Sequence, residues 1–179
     1  MRPELIKSDY REINDLINRH ISELRDEYYN MPLSVARNTL VSEYNYKERA
    51  RLKSCRHFGL DIRPGDVCFI DFGKAYISEA GYQHFGLVMQ IFNGKAFVIP
   101  MTSNHEAYMK AYDEKDNPEG LKHLYRLGTV EGLYKESVLF LNDGKYINTA
   151  RIIDIKGRID PESERFKKIQ RYFIAGLTL

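Results

Sequence analysis

The chain has 179 residues, 43% of them hydrophobic and 29% charged, with a formal net charge of +2. That length suits one domain with an ordinary core, or a small domain plus an appendage, and the composition excludes global disorder. The near-neutral charge excludes a molecule that is basic all over, so a nucleic-acid role requires cations gathered on one face. The two cysteines, Cys55 and Cys68, offer no disulfide framework, and Cys68 sits in an apolar run where a buried reduced thiol is the default. Met1 to Lys7 lacks the apolar segment of a signal peptide. No apolar run approaches the ~18–20 residues that span a bilayer. These features lead to the expectation of a reducing cytoplasm and no membrane association. The 13 tyrosines read first as core and interface residues and only second as base-stacking platforms.

The chain divides by composition near residue 58. The first helix is expected from Ser8 or Asp9, with Asp9 and Glu12 at capping-box spacing. Ile13, Leu16, Ile17, Ile21, Leu24 and Tyr28 recur every three or four residues and mark one apolar face. His20 lies beside that stripe and reads as structural. Asn30-Met31-Pro32 breaks the pattern, and Pro32 suits the first turn of a second helix with a weaker stripe through Leu33, Ala36, Leu40, Val41 and Tyr44. Residues 1–58 are therefore expected to form a helical hairpin extension. It ends in a cationic stretch containing Lys47, Arg49, Arg51, Lys53 and Arg56 against Glu48. This stretch fits a phosphate-attracting patch as well as it fits a solvated helix end whose cations suit the macrodipole.

Residues 59–179 read as a strand-rich domain. Asp66 to Phe72 alternates and is rich in aromatic and branched residues, and His84 to Phe92 is nearly continuously apolar. Asn93-Gly94 signals a type I′ hairpin, with Lys95 to Ser103 as the return strand. Asn104 to Lys122 is polar, with a turn at Asn117-Pro118-Glu119-Gly120, and is expected to be a long functional loop or lid. Further strands are expected over Ser137–Asn142 and Tyr146–Ile155, with a turn at Asp143-Gly144. Asp160 to Ser163 caps a final helix carrying Phe166, Ile169, Tyr172 and Phe173. The fold class is α+β: a small SH3-like β-barrel with a C-terminal helix and the added N-terminal helices.

Several motifs in this order carry a resemblance. Arg63, Gly65, Asp66, Val67, Asp71 and Phe72 are followed by Glu79 to Met89, then by Pro100-Met101-Thr102-Ser103. Gly132-Leu133, Ser137-Val138, Arg151 to Asp154 and Arg158-Ile159 come after. Together they resemble the MazF/PemK family of toxin–antitoxin ribonucleases over roughly residues 60 to 175, with a relation to ToxN-like ribonucleases. The resemblance implies an SH3-like barrel that cuts single-stranded RNA without a metal or other cofactor. The implied products are a 2′,3′-cyclic phosphate and a 5′-hydroxyl end, and the implied partners are a cognate antitoxin and a second copy in a homodimer.

Cleavage of this kind needs a base for the ribose 2′-OH, an acid for the departing 5′ oxygen, and donors for the phosphate oxygens. The slot of the family's catalytic arginine holds His84, and a lysine slot of the ToxN-like enzymes holds His105. The resemblance thus implies His84 as general base or phosphate-binding cation, Thr102 as phosphate ligand, Ser103 as its neighbour in that role and His105 as acid. Tyr82 and Gln83 would orient substrate and Lys74 would contact a phosphate; outside the resemblance, the N-terminal hairpin is expected to extend a dimer, with widening of the RNA surface through Arg49, Arg51 and Lys53, or folding across the cleft as a built-in inhibitor, as the alternatives. Other readings stand beside these. His84 can be an ordinary strand-end residue, Thr102 and Ser103 can form a hydroxyl-capped turn, and Lys74 can be solvated. His57 and His123 have no assignment. Because fold does not fix activity, a non-catalytic CcdB-like toxin and a harmless nucleic-acid-binding module remain alternatives.

Overall fold

The computed structural model describes residues 7–177. The segment Met1 to Ile6, which bears on the signal-peptide reading, and the side chain of Asp9 lie outside the described residues. The chain divides into two compact units, Met1–Leu40 and Val41–Leu179.

In the first unit, α1 (Lys7–Asn30) ends where Asn30 Nδ2 donates to the carbonyl of Asp26 at 2.8 Å. Its apolar stripe is real in period but exposed at Ile13, Leu16, Ile17 and Ile21. A second helix, α2 (Leu33–Arg49), starts directly after Pro32, whose carbonyl accepts the Ala36 N–H. The boundary between the units falls inside α2, so the helix from Val41 onward belongs with the strands. That is earlier than the change in composition.

The second unit is α+β. Its eight strands are β1 (Asp66–Asp71), β2 (Gln83–Phe92), β3 (Lys95–Thr102), β4 (Ala111–Tyr112), β5 (Leu121–Gly128), β6 (Ser137–Phe140), β7 (Lys145–Asn148) and β8 (Ile152–Arg158). They form one sheet in the order β4-β5-β6-β3-β2-β1-β8, with β7 paired to β3 as well. Pairing is antiparallel except between β4 and β5. The sheet is open: β4 and β8 are its two ends.

Strand alternation divides most of the core into two clusters, and a smaller third one holds Ala111, Leu124 and Val138. Val67, Leu87, Ile99, Met101 and Leu139 join Phe166 and Ile169 of α4 (Glu164–Leu177). Cys68, Ile70, Val88, Val98, Ile147 and Ile152 form the other cluster with Cys55. Burying a side chain such as Phe166 contributes roughly 1.5–3 kcal/mol. Ser163 caps α4, its Oγ accepting the Phe166 N–H at 3.2 Å. The Asn93-Gly94 turn has φ of 48° and 76°, the type I′ geometry that links β2 to β3.

Three expectations change. Asn104 to Lys122 is not one long loop. Asn104 Oδ1 accepts the Glu106 N–H at 2.8 Å and starts a short helix, α3 (His105–Lys110), which leads into β4. The expected turn at Asn117 is present, Gly120 N donating to the Asn117 carbonyl at 3.0 Å. β5 is a strand that no expectation covered: a register shift falls between Arg126 and Gly128, and the buried Leu124 and Leu127 stand three apart, a helix-like spacing. Tyr146 to Ile155 is not a single strand either. Asn148 Oδ1 captures the Ala150 N–H at 2.9 Å, and Thr149 Oγ1 donates to the Gly94 carbonyl at 3.2 Å, so the chain turns at Thr149–Arg151 before β8 begins. Likewise β6 stops at Phe140, and Leu141–Asp143 is a single 3₁₀ turn.

Candidate active site

The ends of β1, β2 and β3 bring most of the implied residues together. The β1–β2 ladder pairs Ile70 with His84 and Asp71 with Gln83. On its other edge β2 pairs Phe85 with Met101 of β3. That is the last rung of the β2–β3 ladder, and His84 and Thr102 are the next residues on their strands. His84 is half-buried, and burial lowers its pKa from the ordinary histidine value. Burial thus favours the neutral imidazole over the charged form.

Thr102 Oγ1 accepts the Asn104 N–H at 3.2 Å, the hydroxyl-capped turn anticipated for this position. That bond uses an oxygen lone pair and leaves the hydroxyl proton able to donate. Ser103 is exposed in the same turn. His105 is exposed as the first residue of α3, a helix that packs against β5 and β6, on the side of β3 away from β2.

The connection from β1 to β2 is tightly held at its base. Phe72 N donates to the Tyr82 carbonyl at 2.7 Å and Tyr82 N to the Gly73 carbonyl at 2.6 Å. Tyr82 takes φ of 56° and Ser78 φ of 73°, both in the left-handed region that non-glycine residues rarely adopt. Beyond this base Tyr76 and Ile77 are exposed.

Sequence reading missed the carboxylate beneath that connection. Asp71 is buried and receives Ser42 Oγ at 2.8 Å, Asn45 Nδ2 at 2.6 Å, the Gly73 N–H at 2.8 Å and Gln83 Nε2 at 3.1 Å. Gln83 Nε2 also donates to Ser42 Oγ at 2.7 Å. Sequence offered no signal for it, because Ser42 and Asn45, three apart on α2, look the same as the polar residues of a solvated helix face. Gln83 is thus tied to α2, and it sits immediately before His84. Lys74 pairs with Glu43 of α2 at 3.5 Å.

The cationic stretch is not one surface. Arg49 is largely buried, its Nη1 donating to the Ala150 and Ile152 carbonyls at 3.2 and 3.1 Å and its guanidinium 4.0 Å from the Phe58 ring centre. Arg51 and Lys53 follow α2 and are exposed. Both cysteines are free and buried; burial raises the Cys55 thiol and pushes Cys68 up to about 12. No helix among the described residues is long and apolar enough to cross a membrane.

No protein-family model matches the chain, and no curated protein matches it. Solved structures similar to it include MazF from Deinococcus radiodurans, at 12% identity and a TM-score of 0.48, covering 67% of this chain and 99% of that one. An endoribonuclease from a mycobacterial species is 11% identical with a TM-score of 0.45, over 66% of this chain and 92% of that one. The toxin MazF-mt6 from Mycobacterium tuberculosis is 13% identical with a TM-score of 0.44, over 65% and 98%.

Proposed function

We propose that this chain is a metal-independent endoribonuclease and the cytoplasmic toxin of a toxin–antitoxin pair. Support for the reading comes from the motif slots in which the sequence resembles MazF/PemK ribonucleases, with His84 and Thr102 each one residue beyond the Phe85–Met101 pair that ends the β2–β3 ladder. Lowering of the His84 pKa by burial favours the base role over that of a phosphate-binding cation.

In this reading neutral His84 takes the proton of the ribose 2′-OH. The 2′ oxygen attacks phosphorus and the bond to the 5′ oxygen breaks. A proton delivered to that oxygen, for which His105 is the proposed donor, completes a 2′,3′-cyclic phosphate and a 5′-hydroxyl end. Thr102, with Ser103 beside it, donates to the non-bridging oxygens as charge gathers on them. Gln83 and Tyr82 orient the strand, and Lys74, Arg51 and Lys53 supply positive charge along its path. Arg49 acts differently from the surface cations, bracing the start of β8 from within. A homodimer and a cognate antitoxin that covers the site complete the proposal.

Digestion of single-stranded RNA in EDTA tests it, with the fragment ends analysed chemically. Cyclic-phosphate ends support the reading. Intact RNA together with toxicity on expression would instead favour the non-catalytic toxin on the same fold.

A further inference from the structure

A cleft of about 470 Å³ lies within the second unit, between α2 from Ser42 to Ala50, residues 71–74 after β1, and Asn148 to Arg151. Its size falls in the range of small-ligand sites. Four cations line it, Lys47, Arg49, Lys74 and Arg151, against Glu43 and Asp71. The two acids are already engaged: Asp71 accepts its four donors, and Glu43 faces Lys74 at 3.5 Å.

Two of the cations are held in place. Arg151 Nη1 donates to the Asp71 and Phe72 carbonyls at 3.2 and 3.0 Å, which fixes the guanidinium while its remaining N–H groups stay available. Arg49 Nε is buried with no hydrogen-bond partner, Glu48 Oε2 standing 3.9 Å away. Tyr46 and Phe72 give the same cleft aromatic surface, and Tyr46 is 69% exposed. Fixed guanidinium donors match phosphate oxygens, and an exposed tyrosine ring matches the face of a base. A bare phosphate would leave most of the volume and the ring unused.

We propose that this cleft binds a nucleoside phosphate, the phosphate on Arg151, Lys74 and Lys47 and the base against Tyr46. The ligand is either a free nucleotide or one unit of an RNA strand, and neither His84 nor Thr102 lines the cleft.

Calorimetric titration of the full chain tests this with uridine and adenosine 5′-monophosphates, inorganic phosphate, and an uncleavable 2′-O-methyl oligoribonucleotide. Nucleotide binding tighter than about 1 mM is expected, one per chain, weakening with added salt and tighter than inorganic phosphate. Tyr46→Ala and Lys47→Glu, both exposed positions, each weaken it at least about fivefold with unchanged unfolding midpoints. Displacement of the nucleotide by the oligonucleotide supports an RNA source; simultaneous binding supports a free nucleotide. His84→Ala retains nucleotide binding whether or not it abolishes RNA cleavage, which separates this inference from the nuclease reading. Absence of nucleotide binding, or binding unaltered in both exposed-site variants, overturns it.

Discussion

Ser42 Oγ lies 2.8 Å from Oδ1 of Asp71, joining α2 to the end of β1 through a buried hydrogen bond. Asn45 and Gln83 donate to the other carboxylate oxygen. The helix from Val41 onward is therefore part of the frame that holds the strand ends. Asp71→Ala strands these donors, and a loss of about 3 kcal/mol is expected from their unmet hydrogen bonds. Ser42→Ala, which removes one donor, costs about 1 kcal/mol. Urea unfolding monitored by circular dichroism measures both; equal midpoints for wild type and Asp71→Ala would refute this account of the network.

His84 makes stability depend on pH. Burial lowers its folded pKa below the unfolded value, so the unfolded chain binds more protons between the two. The contribution is complete above the ordinary histidine pKa of about 6.5 and is lost as pH falls through the lowered folded value. His84→Gln should flatten this fall below about pH 6.5 in denaturant titrations. An unchanged pH slope in that variant would assign the fall to other groups.

Gly65 has φ of 88°, and a Cβ there would collide with the Ile159 carbonyl oxygen. Its own N–H and carbonyl pair with Val88 and Ile159, each at 2.8 Å, so the backbone has no room to shift. Gly65→Ala is expected to destabilise by about 3 kcal/mol or more, combining left-handed strain with the clash. A melting temperature within a degree or two of wild type would contradict that geometry.

The two thiols are buried, and Cys68 is pushed up to about 12. Neither should react with a thiol reagent at pH 8 in the folded protein, and both should react once the chain is unfolded in denaturant. Rapid native labelling of Cys68, read by mass spectrometry, would show that its strand is not closed over.

Much of the second unit was legible because its signals are local. The Asn93-Gly94 turn, the alternation of β1 and the capped α4 each depend on neighbours in sequence. Part of what failed was local, the Asn104 and Asn148 caps, and part depended on distant partners. β5 hides its period behind a register shift, and the turn at Thr149 forms because Gly94, far back in the chain, offers a carbonyl. The same holds at the site. His84, Thr102 and Ser103 could be named from motif order, whereas Asp71 became interpretable only when Ser42, Asn45 and Gln83 were seen to converge on it. Arg49 looked like a surface cation because sequence shows its charge but not the two carbonyls and the Phe58 ring that enclose it.

Metal-free digestion of a single-stranded RNA by wild type, His84→Ala and Thr102→Ala is the most direct measurement of the central claim. Wild type should cleave in EDTA and leave 2′,3′-cyclic phosphate and 5′-hydroxyl ends. Each variant should lose about a hundredfold or more of the rate while keeping its fold by circular dichroism. Intact RNA with wild-type protein, or full activity in both variants, would contradict the proposed nuclease centre.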